Sequence, residues 1–364
     1  MSKLVISGYY GFGNAGDEAM LLAMMTALRA LDPTLQITVI SGNPQDTRQR
    51  YGVAAVHRLN IPGIASAVRR ADLLVSGGGS LLQDVTSGRS IFYYLGILKL
   101  SSMLGCPIML YAQGIGPIRS GMARSFMRHI GRRIAGGTVR DEGSLAELAE
   151  LGFELSNLSV TADPVLALDP VSLDPGRKII DKLELTGKGP LIGFSVREWQ
   201  GRDHYKTVFA AVADRLVIEL DARILFLPMQ CPEDSQAARL VAGQMSGAYA
   251  MIGAWTDMID LLSIVGNLDL LVGVRLHALI FAAVMETPFI GVSYDPKIDR
   301  FLESIGEQPV GTLDSLIEKD LYRHILQSLR NQPASSDRRR RVAELRCQAI
   351  RNAECAVRLI NKKG

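Results

Sequence analysis

Leu4-Val5-Ile6-Ser7-Gly8-Tyr9-Tyr10-Gly11-Phe12-Gly13-Asn14-Ala15-Gly16-Asp17-Glu18 opens the chain with an apolar strand, a glycine-rich loop and the first turn of a helix that reads on to Leu31. The same order recurs downstream. Further strands are expected at Gln36–Ser41, Asp72–Ser76, Ile108–Ala112 and Gly137–Arg140, with helices at Phe92–Leu104 and Arg124–Ile134 between them. After Leu168 the text changes to turn chemistry, with Asp169-Pro170, Asp174-Pro175-Gly176 and Gly187-Lys188-Gly189-Pro190. Alternation then resumes with strands Leu191–Ser195, Ile224–Pro228, Asp269–Val274 and Phe289–Ser293. Strand–helix repetition of this kind builds parallel, doubly wound sheets. The expected fold is therefore α/β, with two Rossmann-like domains facing across a cleft: residues 1–172, a linker at 173–190, and residues 191–333. At 364 residues the chain is long enough for two such domains.

Residues 334–364 read differently. Nine Arg and Lys side chains between Ser335 and Lys363 face only Asp337, Glu344 and Glu354, while Val342, Leu345, Ala349, Ala353, Ala356 and Ile360 recur at helical spacing. Two readings stand: a terminal helix docked on one domain with its charges in water, or a basic helix drawn to anionic lipid at the inner face of the membrane.

Composition narrows the function. Apolar residues at 48% suffice for two cores, and a net charge of +3 gives no general argument for nucleic acid, whose binders show a basic face or stripe; any basic bias has to be local. Cys106, Cys231, Cys347 and Cys355 form no C-x-x-C pair, so they read as reduced thiols rather than as zinc ligands or a redox dithiol. No secretory leader is expected, because the first strand starts at Lys3 and Gly, Asn and Asp soon follow it. Ile91–Tyr111 is interrupted by Lys99, Gly105 and Pro107, and Leu268–Val292 contains Arg275, His277 and Glu286. Neither reads as a membrane span, and a cytoplasmic place is expected.

Gly11-Phe12-Gly13-Asn14-Ala15-Gly16 is a literal G-x-G-x-x-G, the dinucleotide signature. Two features oppose that reading. Asp17 and Glu18 occupy the turn where a pyrophosphate would sit, and the second strand ends in Ser41-Gly42-Asn43 with no ribose-binding acid. Asp17 and Glu18 either cap the helix or, in the case of Asp17, point at sugar hydroxyls. Ser76-Gly77-Gly78-Gly79-Ser80-Leu81-Leu82-Gln83-Asp84 and Gln113-Gly114-Ile115-Gly116-Pro117 also follow strands, at the sheet edge where α/β folds bind ligands. Three consecutive glycines imply unusual backbone angles or the close approach of a ligand. Gly273-Val274-Arg275-Leu276-His277-Ala278 places a cation and an imidazole where a strand becomes a wholly apolar helix. A bound anion would neutralise Arg275 there, unless an internal Arg–Asp pair does so. Tyr294-Asp295-Pro296-Lys297 adds a second cation in the neighbouring loop.

At these residues the chain resembles the polysaccharide pyruvyl transferase family, in particular the CsaB-like bacterial members that pyruvylate secondary cell-wall polymers. The resemblance rests on Gly13-Asn14-Ala15-Gly16-Asp17-Glu18, Gly77 to Asp84, Gln113 to Pro117, Arg140-Asp141, Arg275-Leu276-His277 and Tyr294 to Lys297, in order along nearly the whole chain. It implies a glycosyltransferase-B-like pair of domains with phosphoenolpyruvate as co-substrate. Arg140, Arg275, Leu276, His277 and Lys297 would bind the donor. The amino-terminal domain, with Asn14, Asp17, Gly78, Gly79, Gln83 and Asp84, would hold a glycan or lipid-linked acceptor. In that scheme His277 is the acid that protonates the donor alkene, since an imidazole exchanges protons near neutral pH. Arg275 grips its anionic groups as a planar fork. Asp17 or Asp84 accepts the hydroxyl proton. No cofactor or metal is expected, because no residue cluster has metal-ligand spacing. A nucleotide-sugar glycosyltransferase of the same fold is the alternative.

Overall fold

A computed structural model describes residues 1–85, 88–199, 201–253, 257–330 and 336–362. The chain divides into two compact units, Met1–Leu168 with Leu345–Gly364, and Asp169–Glu344. The first carries strands β1 (Lys3–Ser7), β2 (Gln36–Ser41), β3 (Ala54–His57), β4 (Leu73–Ser76), β5 (Gly79–Leu82), β6 (Ile108–Ile115), β7 (Ile134–Val139) and β8 (Leu158–Val160). Helices α1 (Ala15–Leu31), α2 (Pro44–Tyr51), α3 (Ile61–Arg69), α4 (Ser90–Met103), α5 (Gly121–Gly131) and α6 (Glu142–Glu150) connect them. In the second unit α7 (Asp174–Asp181) precedes β9 (Leu191–Ser195), α8 (His204–Leu220), β10 (Arg223–Phe226), α9 (Glu233–Ala242), β11 (Tyr249–Met251) and α10 (Met258–Gly266). Then come β12 (Leu270–Gly273), α11 (Leu276–Val284), β13 (Phe289–Gly291), α12 (Pro296–Ser304) and α13 (Glu318–Arg330), and the last helix, α14 (Ser336–Asn361), belongs to the first unit from Leu345 on.

Both sheets are parallel. The first runs β3-β2-β1-β4-β6-β7-β8, with β5 paired to β6, and the second runs β11-β10-β9-β12-β13. Val5 lies opposite Thr38 and Leu74, and Phe194 opposite Phe226 and Val272. Parallel sheets are covered by helices on both faces. Leu73–Ser76 and Leu191–Ser195 are accordingly buried at every position. The strand order reverses between β1 and β4 in one sheet and between β9 and β12 in the other. The crevice outside the carboxyl ends at such a switch point is where α/β sheets bind ligands.

The boundaries differ from the expected ones. Residues 173–190 are not a free linker. Helix α7 starts inside them, and Gly176 packs so closely on α10 that its N–H donates to Ser263 Oγ at 2.7 Å. A Cβ there would lie 2.3 Å from the Ser263 carbonyl carbon, which explains a glycine that otherwise reads as a turn residue. The tail is not a separate module either. In α14, Ala349 is buried, and Ala353, Ala356 and Ile360 join the first unit's core with Leu21, Met25 and Met109. Buried Asn352 accepts from Thr161 Oγ1 at 2.6 Å and donates to the Ala162 carbonyl at 3.1 Å. The apolar stripe is therefore core rather than a membrane-inserting face. Ser335 and Lys363 lie outside the described residues.

Candidate functional site

In the second unit, four loops follow carboxyl strand ends around the switch point. Arg275 caps α11, and its guanidinium is held by Asp234, the second residue of α9. Nε donates to Asp234 Oδ2 at 2.8 Å, and Nη2 donates to Asp234 Oδ1 and, at 3.4 Å, to Gln230 Oε1. Asp234 is fully buried and also accepts the Met229 and Gln230 N–H groups at 3.1 and 3.0 Å. The expectation that Arg275 needs an external anion is thus corrected: Asp234 neutralises it. What the pairing achieves is orientation. It fixes the planar fork, and Nη1 makes no hydrogen bond among the described residues. Leu276 and His277 follow in the first turn of α11, where backbone N–H groups lack intrahelical acceptors. Leu276 is buried and His277 half-buried.

After β13, Lys297 Nζ lies 3.2 Å from Asp295 and 5.7 Å from the centroid of the Tyr294 ring. After β9 comes a cation the sequence reading missed. The Arg197 guanidinium lies 4.6 Å from the Trp199 ring and 5.2 Å from the Tyr294 ring, and it donates to the Tyr294 hydroxyl. It carries no ion pair among the described residues. A charged residue just past a strand end was the available signal. Asp234 gave none, since an acid in a helix's first turn reads as an ordinary dipole partner.

In the first unit the loop after β1 is fastened by Glu18. Buried Glu18 accepts from the Gly11 N–H and from the Tyr51 hydroxyl, each at 2.7 Å, and burial raises its pKa above the usual carboxylate range. The side-chain carbonyl of Asn14 caps α1, taking the Gly16 and Asp17 N–H groups at 3.0 and 3.3 Å. Asp17 is half-buried, with Oδ1 3.3 Å from where a Gly79 Cβ would stand.

The glycine run after β4 answers to packing. A Cβ at Gly77 would meet the Tyr10 hydroxyl at 2.2 Å and one at Gly78 the Met20 sulfur at 2.9 Å, and only Gly79 takes a positive φ, +96°. Gly78 and Gly79 are buried, and Met20, Pro164 and Asp17 side chains lie where their Cβ atoms would stand. Asp84 is also reassigned. Its two oxygens accept the Arg119 and Ser120 N–H groups at 2.7–2.9 Å and hold that loop. Gln83 accepts from the Val85 N–H at 2.7 Å, a local turn bond. Arg140 is in this unit, apart from Arg275, His277 and Lys297 in the sequence of units. It donates to Ser80 Oγ at 2.8 Å, lies 3.6 and 3.8 Å from Asp141 and Asp163, and occupies space that a Gly114 side chain would fill. It therefore has internal carboxylate partners of its own.

Comparison with known proteins gives concordant findings. A model of the family described as polysaccharide pyruvyl transferase matches residues 14–296. The amylovoran biosynthesis protein AmsJ of Erwinia amylovora is 20% identical over 362 residues, covering 84% of this chain and 86% of that protein. Among solved structures, the UDP-GlcNAc 2-epimerase of Methanocaldococcus jannaschii superposes with a TM-score of 0.68 at 10% identity, over 100% of both chains. Anabaena HepE, in complex with UDP and glucose, superposes with a TM-score of 0.61 at 9% identity, covering 100% of this chain and 98% of that one. At such identities these likenesses establish the two-domain, glycosyltransferase-B-like α/β fold and nothing further.

Proposed function

Because the chain belongs to the polysaccharide pyruvyl transferase family, we propose that it transfers a pyruvyl group from phosphoenolpyruvate to a pair of sugar hydroxyls on a cell-surface polysaccharide or its lipid-linked precursor. The role in amylovoran biosynthesis carried in the Erwinia relative's name supports an acceptor of that kind. The observation that carries the reading is the loop cluster at the second unit's switch point. A guanidinium oriented by buried Asp234, a ring-held Arg197 and Lys297 accompany an imidazole in the first turn of α11. Arg275 and Arg197 offer planar forks to the donor's phosphate and carboxylate, and Lys297 a point charge. The Leu276 amide adds a backbone donor.

His277 delivers a proton to the methylene carbon of phosphoenolpyruvate, leaving a cation-like centre at C2. An acceptor hydroxyl attacks C2 and gives its proton to a carboxylate base. The C2–O bond to phosphate then breaks, and a second hydroxyl closes the ketal, its proton returning to His277. Phosphate is the leaving group, electrons balance without a redox partner, and no cofactor or metal enters. The test is acceptor-dependent phosphate release from phosphoenolpyruvate in the presence of EDTA. Nucleotide release from a UDP-sugar instead would establish the glycosyltransferase reading.

The reading places the enzyme at the cytoplasmic face of the membrane when its acceptor is lipid-linked. No helix among the described residues is long and apolar enough to cross a membrane, and the stripe of α14 is buried. Attraction must then be electrostatic. Arg351, Arg358 and Lys362 carry no ion pair among the described residues and, with one acid, Glu354, line a cavity of about 490 Å³. Flotation with anionic liposomes should show weak binding that disappears at high salt, as charge attraction decays within about 8 Å at physiological ionic strength. Glutamate at those three positions should abolish it. Equal binding to neutral liposomes would contradict this. Deletion of α14 is the wrong variant, because it removes core residues.

A further inference from the structure

We propose that Arg58 binds an anionic group, a phosphate or a carboxylate, carried by the saccharide acceptor. This rests on the reading that the first unit holds the acceptor, and it adds a charge requirement to that site. Arg58 directly follows β3. Its guanidinium carbon lies 5.2 Å from the Phe12 ring centroid and 4.8 Å from that of Tyr93, so the group is held by two aromatic rings. Phe12 is itself stacked on Tyr9 at 4.3 Å with 12° between the planes. Beneath it, a Cβ at Gly42 would stand 2.7 Å from the ring, so the glycine after β2 seats Phe12. The Arg58 backbone is pinned as well: its N–H donates to the Ser41 carbonyl at 2.9 Å, and its carbonyl accepts from the Tyr93 hydroxyl at 3.1 Å.

This clamp leaves the charge without a carboxylate. Arg58 carries no ion pair among the described residues, and its buried Nε has no hydrogen-bond partner. Rings attract a cation but accept none of the five N–H hydrogens of a guanidinium in its plane. A half-buried fork beside the Tyr93 hydroxyl, with no carboxylate on it, suits a planar or tetrahedral oxyanion. The location fits. Tyr9 and Phe12 stand in the loop after β1, Arg58 follows β3 and Tyr93 is in the first turns of α4, all at the carboxyl edge that carries Asp17. The Tyr94 hydroxyl, buried beside them, is within electrostatic reach of Asp17, Tyr93, Arg58 and Tyr9 together. An acceptor can therefore meet Asp17 with a hydroxyl and Arg58 with its charged group, while the exposed parts of Tyr9 and Phe12 offer apolar faces to a sugar ring.

Titration calorimetry on the full chain tests this, with glucose 1-phosphate, glucuronate and methyl glucoside as probes. Wild type should bind one charged probe at least about tenfold more tightly than methyl glucoside, as charge-assisted bonds provide. The preference should fade with salt. Arg58→Gln should remove it, Arg58→Lys should keep part of it, and Phe12→Leu should weaken it with the cation retained. Which charged probe wins separates a phosphate from a carboxylate source. Equal affinity for charged and neutral probes, no binding of either charged probe, or a preference that survives in a folded Arg58→Gln variant would overturn the proposal. Arg58-dependent binding without any turnover of phosphoenolpyruvate would sink the functional reading and leave the anion site standing.

Discussion

Replacing His277 with alanine is expected to lower turnover by about 10²–10⁴-fold, the range for loss of a general acid, while phosphoenolpyruvate still binds. The reason is the division of labour at the second unit's switch point. In the proposed scheme Arg275, Arg197 and Lys297 hold the donor, and the imidazole is the general acid. His277 is in the first turn of α11, where truncation to alanine leaves a good helix former. The variant should therefore melt close to wild type. A donor Kd within a few fold, measured by calorimetry, together with a collapsed kcat, would identify a group that acts in the transition state. Wild-type turnover would remove His277 from the mechanism.

Asp234→Ala should have the second large effect, on stability as well as activity. Arg275 is 11% exposed and Asp234 fully buried, so removing the carboxylate leaves a cation among apolar neighbours and orphans the Met229 and Gln230 N–H groups. Breaking a buried pair from one side costs about 3–5 kcal/mol. Denaturant unfolding of the second unit's transition reads this directly. Arg275→Lys should retain more stability than Asp234→Ala but lose donor affinity, because an ammonium cannot span Asp234 and a substrate anion as a fork does. An unchanged unfolding midpoint in Asp234→Ala would show that the pair is solvated, contrary to the geometry.

Much of the frame was legible because parallel strands are buried on both faces and read as apolar runs: Gln36–Ser41 and Leu191–Ser195 fall where the runs placed them. Ala54–His57, Leu158–Val160 and Tyr249–Met251 were not legible. They are three or four residues long, partly exposed and at or near sheet edges, where burial leaves no pattern. Glycines misled in a particular way. Gly77 and Gly78 are demanded by Tyr10 and Met20, distant partners that no local rule foresees. Charge misled similarly, since the partner of Arg275 lies 41 residues earlier in the chain. The chemistry-bearing loops were identifiable by their place after strands. Which of their side chains hold one another was not.

The central claim is tested most directly by the product. The purified chain would be incubated with carbon-labelled phosphoenolpyruvate and a lipid-linked saccharide fraction, and the saccharide analysed by mass spectrometry and carbon NMR. The account predicts a labelled ketal carbon on the saccharide, one phosphate released per ketal, and no signal from the His277→Ala protein. Label that stays in phosphoenolpyruvate while a UDP-sugar is consumed by the same preparation would contradict it.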